Sequence, residues 1–154
     1  MKDLQEASAM PGHVFSQIHL HFNWHTDGNA PVLASDVEHF VHNYIQNRCK
    51  TTDGVFFHEV GGTDDHIHLA VRIEPMVNIA KFIGDLKGAC SFETNKHLGR
   101  KLLEWQRGYG VVSFSTKNLK WVVDYIRNQR EHHKKGTSRE VLEKTMPEAP
   151  EQAG

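Results

Sequence analysis

Cysteine is scarce in this 154-residue sequence: there are two, Cys49 and Cys90. Two thiols cannot staple a disulfide-rich scaffold. Neither belongs to a CxxC pair, which argues against a cysteine-based zinc site. Long apolar runs are also missing, and none approaches the roughly 18–20 residues that a membrane helix needs. The opening stretch Met1–Met10 is polar and mixed rather than basic and then apolar, so it does not read as a secretory signal. The expectation is a cytoplasmic protein with no membrane partner. Charge of one sign is not in excess either. Lys and Arg number 18 against 19 Asp and Glu, a net charge of −1, which is not the footprint of a generic nucleic-acid binder. No GxxxxGK[ST] phosphate loop occurs, so nothing implies an ATP-driven step. With 38% hydrophobic and 24% charged residues, the chain has the composition of one folded domain.

Histidine is abundant, with twelve scattered copies. Several fall in alternating segments. Ile18, Leu20, Phe22 and Trp24 share one face of a strand, and His19, His21, Asn23 and His25 share the other. Val55–Val60 reads as a second strand. His66–Ile73 reads as a third, with Ile67, Leu69, Val71 and Ile73 inward. Tyr109–Phe114 reads as a fourth. Helical spacing places a first helix after Ser35, a capping box with Glu38. A second follows Asn78, and a third runs from Ser115 or Thr116 to Gly136. The order of the first six elements is βαββαβ. Right-handed crossovers then give a ferredoxin-like α+β sandwich: a four-stranded antiparallel sheet, two helices on one face, and the first and third strands central. The third helix is the spare element left to cover the histidine-bearing face. The domain is expected over residues 13–136, with 1–12 and 137–154 as flexible terminal segments.

Two constellations carry chemistry. In His66-Ile67-His68, residues i and i+2 of a strand point the same way about 6.5–7 Å apart, so both imidazoles can meet one divalent metal. His19-Leu20-His21 has the same spacing, and periodicity does not choose between the two pairs. The second constellation is Tyr125 with Gln129, one helical turn apart. Around it, Thr116–Arg139 holds seven Lys/Arg against two Asp/Glu. Arg127, Arg130, Lys134 and Lys135, with Lys87 of the second helix, are the basic residues placed to meet a phosphate backbone. Trp105, Tyr109, Phe114 and Trp121 are candidates for base stacking or for core packing.

Taken together, His13–His133 resembles the single-tyrosine transposases of the HUH superfamily, which include transposase-like proteins associated with repeated extragenic palindromes. The segments that carry the resemblance are Asp65-His66-Ile67-His68-Leu69-Ala70-Val71, Leu86-Lys87-Gly88, Trp105 with Gly108-Tyr109-Gly110, and Tyr125-Ile126-Arg127-Asn128-Gln129. Gly62-Thr63-Asp64-Asp65, before the HxH, lacks the proline found there in many relatives. The resemblance implies that His66 and His68 are the metal-binding pair, that Gln129 is a third ligand of Mg²⁺ or Mn²⁺, and that Tyr125 is the nucleophile. It further implies cleavage and rejoining of single-stranded, hairpin-containing DNA through a 5′-phosphotyrosine link, and a homodimer with sites that can be shared between subunits. Three other readings compete, the plainest being a ferredoxin-like interaction domain with histidines on a wet surface. A catalytically silent relative would bind hairpins without cutting. A metal-dependent hydrolase using His19 and His21 would have no need of Tyr125.

Overall fold

The structure, a computed structural model, describes residues 13–146. The arm expected over 1–12 and the end of the tail, 147–154, lie outside the described residues. The elements are β1 (Ile18–His25), α1 (Ser35–Thr51), β2 (Val55–Gly62), β3 (His66–Ile73), α2 (Ile79–Leu98), β4 (Gly110–Phe114), α3 (Leu119–Arg127), α4 (Gln129–Lys135) and α5 (Glu140–Glu143). The four strands pair in the order β2-β3-β1-β4, every pairing antiparallel. This is the ferredoxin-like arrangement. Each βαβ half leaves a gap that a strand of the other half fills, and β1 and β3 become central.

Alternation decides which face each strand buries. Leu20, Phe22 and Trp24 of β1 join Ile67, Leu69 and Val71 of β3 against Val41 and Ile45 of α1 and Phe82, Ile83 and Leu86 of α2. The opposite face packs Ala70 against Val122 and Ile126 of α3, with Phe114 beside them. The spare helix does cover the histidine face, and it buries it: His19, His21, His66 and His68 are all at most 4% exposed. Gly61 permits the close approach. A Cβ there would lie 2.4 Å from the Ile126 carbonyl oxygen. Gly61→Ala is therefore expected to push α3 off the sheet at a cost of about 1–3 kcal/mol, read as a lower midpoint in urea unfolding.

Three local expectations change. The cap of α1 is Ala34, not Ser35, which makes no side-chain cap bond and has φ 52°. Leu33 explains the shift. It is fully buried and its N–H donates to Asp64 O at 2.8 Å, so a tertiary anchor sets where the helix begins. The last helix breaks at Asn128 (φ −105°, ψ 26°) into α3 and α4, and Gly136, with φ 68°, closes α4. Thr137–Met146, expected as part of a mobile tail, forms α5 and packs: Leu142 is 5% exposed and Asn23 Nδ2 donates to Lys144 O at 2.9 Å. Asn78 does cap α2, its Oδ1 accepting from Lys81 N–H at 3.0 Å.

Burying imidazoles makes stability depend on pH. Desolvation first, and then the neighbouring His68, pushes His21 down to about 3. Desolvation, with His19 and Arg72 nearby, pushes His58 down to about 4. Both values lie below the ordinary 6.5, so the unfolded chain binds these protons first. The stabilisation is complete above pH about 6.5 and is lost as pH falls toward 4, by up to ~1.4 kcal/mol per pH unit for each histidine. Urea midpoints measured from pH 7 to pH 5 are expected to fall steadily, and a flat profile would contradict this.

Candidate active site

β3 presents His66 and His68 on the face under α3, and the register sets them opposite His25 and Asn23 of β1. Tyr125 stands in the last turn of α3 and Gln129 at the first position of α4. Both are buried. The break at Asn128 does not separate them, since Gln129 Nε2 donates to Tyr125 O at 3.4 Å. Gln129 Oε1 lies 3.3 Å from His66 Nε2. The Tyr125 ring sits between two others, with Trp121 stacked at 5.4 Å and His132 at 4.7 Å between centroids. Such a stack holds the phenol in one rotamer.

The group at the centre is Glu143, from α5. Its Oε1 lies 3.4 Å from His66 Nε2, 3.1 Å from His68 Nε2 and 3.1 Å from His133 Nε2. Its Oε2 accepts the Tyr125 hydroxyl at 2.6 Å, and that hydroxyl in turn accepts the Arg139 N–H at 2.7 Å. Burial works against the charged carboxylate, but the bonds from His66 and His68 outweigh it and hold Glu143 well below the usual range. Desolvation and then the Glu143 bond push the Tyr125 phenol up to about 12. Burial would lower His66, yet the hydrogen bonds to Glu143 and Asp65 raise it. His68, deeper, is pushed down to about 4 by desolvation.

The donors fit a divalent metal. One ligand atom from each of His66, His68, His133 and Glu143 lies within 4.8 Å of the others. The outer partners suit it too. His66 Nδ1 meets Asp65 Oδ1 at 2.7 Å, and His68 Nδ1 meets His21 Nε2 at 2.8 Å. Each Nδ1–H can donate outward, which turns the Nε2 lone pair toward the ion.

The other histidine pair has partners of its own. His21 buttresses His68, and His19 bonds to His58 and Thr116, each at 2.9 Å. Most of the basic residues have partners within the fold. Arg127 pairs with Glu59, Arg130 with Glu38, and Lys135 with Glu131. Lys87 Nζ donates to Gln106 O and Gly108 O, tying the loop before β4 to α2. Lys134 is exposed. Of the aromatic candidates, Trp105 and Tyr109 pack on the core, Phe114 packs beneath α3, and Trp121 is 47% exposed. Sequence reasoning missed Glu143 and His133. The only signal for Glu143 was the apolar pair Val141-Leu142 inside an otherwise polar tail.

The family model described as transposase IS200 like matches residues 14–129, most of the chain, and spans the HxH, Tyr125 and Gln129. The chain belongs to the IS200-like transposase family. Transposases for the insertion sequence element IS200 from Salmonella typhimurium and Salmonella typhi are each 36% identical to it over 78 residues. The match takes in 47% of this chain and 51% of theirs, so the chain spans about half the length of these curated relatives. Among solved structures, a Deinococcus radiodurans R1 chain described as a transposase superposes with a TM-score of 0.60 at 24% identity, covering 77% of this chain and 94% of that one. A REP-associated tyrosine transposase bound to a REP hairpin superposes with a TM-score of 0.56 at 14% identity, covering 86% and 78%. At these identities the likeness is one of fold. The family match ends at Gln129, so His133, Arg139 and Glu143 lie beyond the matched residues. No described helix is long and apolar enough to cross a membrane.

Proposed function

We propose that this IS200-like chain cleaves and rejoins single-stranded DNA through a 5′-phosphotyrosine link at Tyr125, with Mg²⁺ or Mn²⁺ held by His66, His68 and Gln129. The observation that carries the reading is the single carboxylate of Glu143. One of its oxygens meets the Tyr125 hydroxyl and the other meets both imidazoles of the HxH. A nucleophile and a metal-donor set thus lie one carboxylate apart.

A divalent ion there would neutralise the non-bridging oxygens of a phosphodiester and orient it. The chain's own groups do the rest. His66, His68 and Gln129 are neutral donors, so they leave the ion's charge uncancelled. Trp121 and His132 hold the phenol ring in place. The Tyr125 oxygen attacks phosphorus, the P–O3′ bond breaks, and the departing oxygen takes a proton as a 3′-hydroxyl. The phenolic proton leaves to solvent water. A second 3′-hydroxyl then attacks phosphorus, the P–O bond to Tyr125 breaks, and the phenol regains its proton. One ester is exchanged for another, and no ATP is consumed.

A single strand suits this site better than a duplex, because the buried phenol can be reached by a flexible backbone and not by a stacked one. The hairpin carried by one structural neighbour supports a hairpin substrate. A homodimer is part of the proposal and is testable by light scattering. The decisive experiment incubates the protein with labelled hairpin-bearing single strands in Mg²⁺, Mn²⁺ or EDTA and resolves the products on a denaturing gel. A metal-dependent covalent protein–DNA band is the expected result. Binding without any band would favour the silent hairpin binder.

The outer partners make a separate prediction. Asp65→Asn is expected to weaken Mn²⁺ binding about 10–100-fold, measured by calorimetry without DNA, because Nδ1 of His66 then loses its anionic acceptor.

A further inference from the structure

The segment after α4 has an anchor of its own. Asn23 Nδ2 donates to Lys144 O, and Leu142 is buried. Gly110 lies where Lys144 O passes so closely that a Cβ would come within 1.8 Å of it. Held in this way, α5 delivers Glu143 to His66 and His68 while α4 delivers His133. The four ligand atoms all lie within 4.8 Å of one another. Three imidazole nitrogens and one carboxylate oxygen are a four-donor set of the kind that suits a zinc-type dication. Such a set differs from His66, His68 and Gln129 in one decisive way: it leaves no coordination position for a phosphate.

We propose that His66, His68, His133 and Glu143 form a closed metal site for a transition-metal dication of zinc type, which fastens residues 137–146 across Tyr125. The proposal rests on the reading of His66 and His68 as metal donors and is independent of Tyr125 as nucleophile. In the closed state Glu143 Oε1 serves the metal while Oε2 keeps the Tyr125 hydroxyl bonded and protonated. The Arg139 N–H occupies a lone pair of the same hydroxyl. Lifting the segment removes the Glu143 donor and frees the phenol, leaving a coordination position that a phosphate can enter. Zn²⁺ accepts four-coordination readily, whereas Mg²⁺ demands six mostly oxygen ligands. Zinc therefore fastens the segment and magnesium does not.

The test uses the full chain without DNA. Zn²⁺ affinity is measured by chelator competition for wild type, Glu143→Gln and His133→Asn, and backbone hydrogen exchange of residues 137–146 is followed with Zn²⁺, Mg²⁺ or EDTA. Expected are at least about tenfold weaker zinc binding in each variant, and slowed exchange only in wild type with zinc. The His133 side chain lies at the protein surface, so its variant guards against a folding artefact at Glu143. Glu143→Gln protein that binds zinc as tightly as wild type, or more tightly, overturns the proposal, since Glu143 would then only fill the metal's place. Exchange unaffected by zinc overturns it as well. Tyr125→Phe protein keeps the zinc effect, so a failed nucleophile assignment leaves this result standing.

Discussion

Tyr125→Phe protein is expected to give no covalent DNA band with any metal, while hairpin affinity stays within about threefold of wild type, a change of ~0.65 kcal/mol. The substitution removes one oxygen. That oxygen donates to Glu143 and accepts from Arg139 N–H, so the variant also leaves a backbone donor unpaired and loses about 1–2 kcal/mol of stability. The ring itself keeps its stack between Trp121 and His132, and the wall of the site is unchanged. A gel for the adduct, a filter-binding curve and a urea midpoint on the same preparation separate the two effects. Cleavage that survives in the phenylalanine variant would remove Tyr125 from the mechanism, and attention would move to the histidines as a hydrolytic site.

His68→Ala combines a chemical and a structural loss. His68 is fully buried, and its Nδ1 faces His21 Nε2 at 2.8 Å. Its removal opens a cavity and leaves His21 without its partner inside the sheet–helix interface, at a cost of about 2–4 kcal/mol. It also deletes one donor of the metal site. If a full four-ligand zinc site is worth about 10–16 kcal/mol, one imidazole accounts for roughly a quarter of that, enough for at least about 100-fold weaker binding. Calorimetry with Mn²⁺ and Zn²⁺, run at a temperature where circular dichroism shows the variant folded, measures this. Wild-type metal affinity in the folded variant would remove His68 from the ligand set. No adduct band is expected from this variant.

The fold was legible because its signals are local. Period-two alternation along Ile18–Trp24 and Ile67–Ile73 announced strands with one apolar face, and the βαββαβ order then left one right-handed solution. The HxH and the Tyr125–Gln129 pair were legible for a similar reason: strand and helix periods place each pair on one face whatever the rest of the chain does. The choice between His66/His68 and His19/His21 was not legible from spacing, because both pairs alternate identically on adjacent strands. Only the docking of α3 and α5 distinguishes them, turning His66 and His68 toward Tyr125 and Gln129 and leaving His21 behind His68. The partners of the basic residues were not legible for a related reason. The local excess of Lys and Arg after Thr116 is real, but Arg127 and Arg130 find Glu59 and Glu38, residues distant in sequence that fold adjacent to them.

By itself, then, the sequence determined the strand and helix order, the buried face of each strand, and the two short motifs whose side chains share a face. These depend on steric periods that act within a few residues. The tertiary structure alone decided which histidines meet the tyrosine helix, which cations are already paired, and that a polar tail returns to set Glu143 among three imidazoles. Those outcomes depend on contacts between residues up to 121 positions apart, such as Asn23 with Lys144. No local period encodes such a contact, because what holds it is the close packing and hydrogen bonding of the finished fold.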